Sequence, residues 1–326
     1  MLPRITVKNA GPGSLEFLTA LWHRTWYAGM RPEAHHTYRM RVLTSPWARR
    51  CCQVLVLEEN GAPRAGMIVL TLSMRLRGKK RKVAGIAAVV TDPEHRGRGL
   101  AARLVTIGHR RLADAGHQAA LLFTEIGTAY YAKLGYVTWP LANRTLALPD
   151  TARTPDGLTS RAANERDVPA MRRLLNGSQK GFTLGISRPA DYVRHLLNRE
   201  IWREEMSGSK WPDMQFVTAR WIAERGGEPV AYARLVPRIG ADTVEIAITE
   251  AGWAPGEERA VAALAVDYAK RGNYDGIWAT IPESLASALG LAVTKVEPLE
   301  KMMMTPLTPG LDVSPAEHCI WPGDWF

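Results

Sequence analysis

The sequence predicts an α/β protein made of two copies of one unit. Three observations point there. The length of 326 residues suits two domains. Strand-like and helix-like runs alternate through the first half, then restart in the same order. The segments Asn60-Gly61-Ala62-Pro63-Arg64-Ala65-Gly66 and Gly226-Gly227-Glu228-Pro229-Val230-Ala231-Tyr232 fall at the same place in each half.

The elements follow in order. Ile5 to Lys8 reads as a short strand, and Ser14 can cap an amphipathic helix from Leu15 to Tyr27. A polar helical stretch covers Glu33 to Leu43. Cys52 to Glu58 and Ala65 to Ser73 are strands around the turn signal Glu59-Asn60-Gly61. A basic hairpin tip, Arg75 to Lys82, leads to a third strand, Val83 to Val90. A glycine-rich turn opens a helix from Gly99 to Ala115, with Leu100, Leu104, Val105, Ile107 and Leu112 at helical spacing. Gly116 can end it. Ala119 to Phe123 is a buried-type strand, and Thr128 to Leu134 a short helix closed by Gly135. Val137 to Leu148 reads as a strand pair broken around Pro140.

Domain boundaries follow from composition. Residues 1–150 form the first domain, and 151–157, rich in Thr, Pro, Asp and Gly, the linker. Residues 158–307 form the second, with strands at Leu158, Phe216, Pro229, Thr243 and Ile277 and helices after Asp167, Ala190 and Glu257. The tail, 308–326, carries Trp321, Trp325 and Phe326; its aromatics predict that it packs back on the domains.

Composition narrows the function classes. Hydrophobic residues make 46% and charged residues 23% of the chain, an ordinary globular balance. No apolar run approaches membrane-spanning length, and Met1 to Gly11 has no signal-peptide core, so a cytoplasmic protein is expected. Cys51, Cys52 and Cys319 give neither a disulfide framework nor metal-ligand spacing. The net charge of +10 admits an anionic partner. The basic run sits at a hairpin tip without any nucleic-acid-binding signature, so nucleic acid is disfavoured.

The chemistry-bearing segment runs from Val89 to Leu104. It is a strand, a turn with Gly97 and Gly99, and a helix start. Such a turn aims backbone N–H groups at one point, and the helix dipole favours an anion there. Arg96 and Arg98 add positive charge. A dinucleotide fingerprint is disfavoured because Ala102 stands where its third glycine belongs; a P-loop is excluded because no Gly-Lys-Ser/Thr follows. The residues alone leave two readings, an anion site or a plain glycine turn.

Arg96-Gly97-Arg98-Gly99-Leu100-Ala101 resembles the Arg/Gln-x-x-Gly-x-Gly/Ala loop of the GNAT acyltransferase superfamily. Tyr130-Tyr131-Ala132-Lys133-Leu134-Gly135-Tyr136 is similar to that superfamily's Phe-Tyr-x-Lys-x-Gly-Phe element after the next strand. The resemblance implies tandem GNAT-like domains, each a mixed, mostly antiparallel sheet flanked by helices and splayed between its fourth and fifth strands. Acetyl-CoA then lies in the first wedge as acyl donor, with no metal. Val89, Val90 and Thr91 contact its pantetheine arm, Arg96 to Ala102 hold the pyrophosphate, and Thr124 also touches the cofactor. Tyr131 protonates the leaving thiolate, and a backbone N–H near Val90 meets the oxyanion.

The second half resembles a degenerate copy. Ala251 to Ala260 replaces the loop and puts Glu257 and Glu258 at the phosphate position, so no CoA is expected there. Tandem arrangements of this kind resemble the enhanced intracellular survival proteins, which usually carry a third, sterol-carrier-like domain; the residues after 307 are too few for one. In that family a terminal phenylalanine carboxylate serves as base, which points to Phe326; Glu125 is the other candidate. Trp22, Trp26 and Tyr27 can form an aromatic wall for a cationic amine. The acceptor is then a small-molecule amine or a lysine side chain. The competing class is a non-catalytic acyl-CoA-sensing module. A homo-oligomer is compatible with the resemblance, and the sequence specifies no interface.

Overall fold

Apolar runs bounded by turn residues set the strands, and the helices cover both faces of the sheet they make. The computed structural model describes residues 4–149, 155–207, 218–239 and 243–324. The first half runs β1 (Ile5–Asn9), α1 (Pro12–Trp26), α2 (Pro32–Thr44), α3 (Ala48–Cys51), β2 (Cys52–Glu59), β3 (Ala62–Leu76), β4 (Lys79–Thr91), α4 (Leu100–Asp114), β5 (Ala119–Phe123), α5 (Thr128–Ala132) and β6 (Val137–Leu146). The second runs β7 (Leu158–Ala162), α6 (Val168–Ser178), β8 (Leu184–Ile186), α7 (Ala190–Ser207), β9 (Ala219–Arg225), β10 (Glu228–Ile239), β11 (Val244–Trp253), α8 (Glu258–Arg271), β12 (Gly276–Thr280), α9 (Glu283–Leu289) and β13 (Val293–Pro306).

Two local readings are corrected. α1 starts at Pro12 behind Gly11, because proline suits the first helical turn; Ser14 does not cap it, and its hydroxyl donates to Glu58 Oε1 at 3.3 Å. β6 passes through Pro140 as one strand. Proline lacks a ladder N–H, and the register with β13 slips there, between Leu299 and Met302.

All these strands join one sheet of order β1-β2-β3-β4-β5-β13-β6-β12-β11-β10-β9-β7, with β8 added on β3. β4 with β5 and β11 with β12 are parallel pairs; the other named ladders are antiparallel. The centre is interleaved. β13 from the second half lies between β5 and β6, and β6 from the first half lies between β13 and β12. Each half therefore lends its last strand to the other. Met302, Met303 and Met304 on β13 are all fully buried. A run without alternation is what a strand covered on both faces requires. Each such side chain contributes roughly 1.5–3 kcal/mol on burial.

The described tail lies across both halves. Trp139 Nε1 donates to Val313 O at 2.9 Å, His318 Nε2 lies 3.1 Å from Pro140 O, and Cys319, Ile320 and Trp321 are buried.

Candidate active site

The site begins with an irregularity in β4. Gly66 pairs with Val90 and Ile68 with Ala87, so Ala88 and Val89 together face Met67 across the ladder. This is a β-bulge. Ala88 takes φ 50°, a left-handed conformation that costs a side-chain-bearing residue energy. Trp22 supports it: the indole Nε1 donates to Ala88 O at 2.8 Å.

Just before the bulge, β4 and β5 part company. Their pairing ends at Ile86 and Leu122, and the chain beyond β5 turns to β13, with Thr124 N donating to Lys301 O at 2.8 Å. A wedge opens between the end of β4 and the end of β5.

The loop from Asp92 to Gly99 borders this wedge. Asp92 accepts from Glu94 N at 3.4 Å and lies 3.2 Å from His95 Nδ1 and 3.7 Å from Arg64, so it shapes the turn. Asp92, Glu94 and His95 bring ligand-type atoms within 4.8 Å of one another, but the Asp92 carboxylate is already engaged by these neighbours. Gly97 and Gly99 have φ 75° and 71°, which L side chains disfavour, and open space lies where a Cβ would point. Gly99 is the N-cap of α4 and offers no side chain, so the first helical N–H groups, at Leu100, Ala101 and Ala102, lack a capping acceptor. Arg98 makes a bidentate pair with Glu59, at 3.0 and 2.5 Å. Arg98 holds the Glu59 carboxyl below the usual range by that hydrogen bonding. The Arg98 side chain thus clamps the loop to the β2–β3 hairpin, leaving its backbone for an anion. Arg96 is exposed.

Tyr131 closes the wedge from α5. It is buried and shares an apolar cluster with Ile86 of β4, Leu122 of β5 and Leu100 and Leu104 of α4. Tyr130 meets it edge-on at 5.0 Å and Tyr136 at 5.8 Å. The Tyr136 hydroxyl is 2.8 Å from His109 Nε2. Burial, then the neighbouring Tyr130, pushes the Tyr131 phenol up to about 12. Among the described residues its hydroxyl has no hydrogen-bond partner. Thr124 turns its hydroxyl to its own loop, donating to Gly127 O at 3.1 Å and accepting from Ile126 N. It fixes the turn that leads into α5.

The other candidates divide. Glu125 is exposed at the end of β5 and accepts from Trp26 Nε1 at 3.2 Å, so α1 and the far lip of the wedge meet. Tyr27 stacks on His35 at 4.4 Å. Trp22 is fully buried, so it props the bulge from behind and presents no surface to a substrate. That support role was not legible in sequence, because it needs Ala88, which is distant in the chain. Phe326 lies outside the described residues. His318 is buried and pushed down to about 4 by burial, packed on Trp139. A cavity of about 300 Å³ lined by Trp47, Leu72, Ser73 and Tyr192 sits at the opposite end of β4, away from the bulge.

Residues 7–138 match the family model described as the acetyltransferase (GNAT) domain. This part of the chain is a GNAT domain. No curated protein matches the chain by sequence. Solved structures do match its fold. A GCN5-related N-acetyltransferase from Anabaena variabilis is 13% identical, with a TM-score of 0.68 over 94% of this chain and 73% of that one. Eis1 from Mycobacterium abscessus is 14% identical, with 0.63 over 93% and 74%. Saccharomyces cerevisiae N-myristoyltransferase with bound myristoyl-CoA is 13% identical, with 0.56 over 94% and 83%. At these identities the likeness is one of fold, and it extends across both halves.

The GNAT wedge has a counterpart in the second half. Arg234 pairs with Glu250 and Leu235 with Ile248, leaving Thr249 unpaired where Ala88 and Val89 stand in the first half. Gly256 has φ 82°, and Glu257 is the N-cap of α8. Arg225 grips Glu257 at 2.9 and 3.0 Å. The clamp is the same as Glu59–Arg98, with the charges exchanged. Pro322–Asp324 packs there, and a Cβ on Gly323 would lie 3.1 Å from Thr249 O.

Proposed function

We propose that this protein transfers an acetyl group from acetyl-CoA to a primary amine of a small molecule or a lysine side chain. The observation that carries this reading is the convergence on one wedge of the Ala88 bulge, the uncapped start of α4 and the buried Tyr131. The residues fit the donor: N–H groups of Gly97 to Ala102 suit a pyrophosphate, and the strand backbone from Val89 to Thr91, beyond the end of the β4–β5 ladder on its β5 side, suits a pantetheine amide. Bound there, acetyl-CoA supplies an activated thioester carbonyl.

The chain's own groups then act in turn. Glu125 or the carboxylate of Phe326 takes the proton from the amine, whose nitrogen bonds to the carbonyl carbon. A backbone N–H at the bulge, near Val90, receives the negative charge that develops on oxygen. The carbon–sulfur bond breaks and Tyr131 donates its proton to the sulfur. A phenol held at about 12 is fully protonated at neutral pH, as an acid must be.

The test is acetyl-CoA turnover against an amine panel, with Tyr131→Phe and a chain lacking Trp325 and Phe326. CoA release unchanged in Tyr131→Phe would sink the acid assignment, and full activity of the shortened chain would remove the carboxylate.

A further inference from the structure

The basic run at the tip of the β3–β4 hairpin has no part in acyl transfer, yet it borders a cavity. β2 leaves one edge of β3 at the pair Cys52–Leu70, and β8 joins the same edge at Met74–Ile186. Thr71 to Ser73 therefore have no strand beside them on that edge. Ser187 N, just past β8, donates to Ser73 O at 2.8 Å. The cavity of about 300 Å³ opens in this gap. That is the small end of the range for small-molecule sites, about 300–1,000 Å³. Ala88 is six residues beyond Lys82 on β4, a span of about 20 Å, so the cavity is separate from the wedge.

Its lining has two parts. One is apolar and aromatic: Trp47 beside α3, Leu72, Pro189 and Tyr192 of α7. The Trp47 and Tyr192 rings meet at 4.5 Å and brace each other. The other is cationic: Lys80, Arg81 and Lys82. Among the described residues no carboxylate lines the cavity. Two acids of adjoining segments are held elsewhere. Asp191 is bound by Arg50. Asp312 borders a second cavity that Arg81 also touches, and it is bound by Arg77 at 2.8 Å and by Ser314. Lys82 Nζ donates to Ala115 O at 2.7 Å, which leaves Lys80 and Arg81 as the charges without a partner. Arg81 Nε and Ser73 Oγ are buried without hydrogen-bond partners. Buried donors without acceptors cost free energy, which an acceptor in the cavity recovers.

These two linings suit two parts of one molecule. Aromatic walls favour a flat ring beyond the area it buries. Unpaired cations favour an oxygen that carries negative charge, and a guanidinium matches a carboxylate in shape. We infer that this cavity binds a small aromatic carboxylate, with its ring against Trp47, Leu72 and Tyr192 and its acid group on Lys80 and Arg81. Pro189 and Tyr192 come from the second half of the chain, so the ligand joins the two halves.

Cys51 reports occupancy. It lines the same cavity and is half-buried, whereas burial pushes the Cys52 thiol up to about 12 and Cys319 is buried. The whole protein is titrated with naphthoate, with its neutral twin naphthamide, and with octanoate as an aliphatic acid. Calorimetry reads affinity, and iodoacetamide labelling followed by mass spectrometry reads Cys51. Naphthoate should bind roughly tenfold or more tightly than the other two and slow Cys51 labelling in step with occupancy. Saturating acetyl-CoA should leave both readouts unchanged. Arg81→Gln with Lys80→Gln should lower naphthoate affinity to that of the amide, with melting temperature as the check on folding. Lys80→Gln alone, at an exposed side chain, should give part of that loss. Equal binding of acid and amide, tighter binding of octanoate, or no binding at millimolar concentration overturns the inference. So does binding that leaves Cys51 labelling unchanged, that acetyl-CoA displaces, or that survives the double substitution.

Discussion

The two halves of this molecule carry the same device with opposite polarity. Each has a strand irregularity, a glycine in left-handed conformation, a helix that follows, and a salt bridge from the last residue of a strand to the loop. In the first half the loop residue of that bridge is Arg98 and the start of α4 is open. In the second it is Glu257, and Glu258 follows in the first turn of α8. A carboxylate at a helix N-terminus satisfies the dipole that a phosphate would otherwise seek. The second wedge is also covered on its strand side by Pro322–Asp324. Geometry alone therefore does not make an anion site: the clamp persists, and the sign of its charge separates a donor-binding reading from a structural one.

The comparison can be broken most severely at Tyr131. Tyr131→Phe should lower kcat by roughly 10²–10⁴-fold while acetyl-CoA affinity holds, measured by thiol release and by calorimetry. The alkaline limb gives a second check: with the phenol near 12, activity should show no loss through pH 10 that is traceable to this residue.

Acid should also separate the halves. Burial pushes His35 and His195 down to about 3 and His109 and His318 down to about 4. Two belong to the first half; the other two pack on Trp47 and Trp139 of it. Each stays neutral in the folded state while the unfolded chain takes a proton below about 6.5. Stability is therefore complete above that pH and falls as pH drops toward 4 and 3, by up to ~1.4 kcal/mol per unit for each histidine. Hydrogen exchange should show the first half opening before the second; uniform opening would contradict this.

A smaller effect is expected from exchanging the clamp. Glu59→Arg with Arg98→Glu keeps the bridge and should leave the melting temperature nearly unchanged. Acetyl-CoA affinity should nonetheless fall severalfold, since a carboxylate then faces the pyrophosphate. Unchanged affinity would mean that loop polarity does not distinguish the halves.

The fold class and the loop were legible because both are local. A helix of period 3.6 with two glycines before it, and a tyrosine pair after the next strand, are contiguous patterns. The exchange of β6 and β13 was not legible. Its ladders join residues far apart in sequence, and Met302 to Met304 do not alternate as a half-exposed strand would. The roles of Arg98 and Trp22 were hidden for the same reason: each is defined by a partner, Glu59 or Ala88, that no spacing rule connects to it. Pro140 misled in the other direction, since a strand can absorb a proline at a slip in register.

The interleaved centre has a consequence for how this chain could be divided or inherited. A cut in the linker would give two pieces, neither of which owns a full sheet, because β5 would lose its β13 neighbour and β12 its β6 neighbour. Mixed together, the pieces are complementary fragments whose assembly restores both. The half without an open wedge is thus an obligate chaperone in cis for its twin: it supplies the strand along which the wedge's far lip is laid, and it cannot be lost by deletion without taking that lip with it.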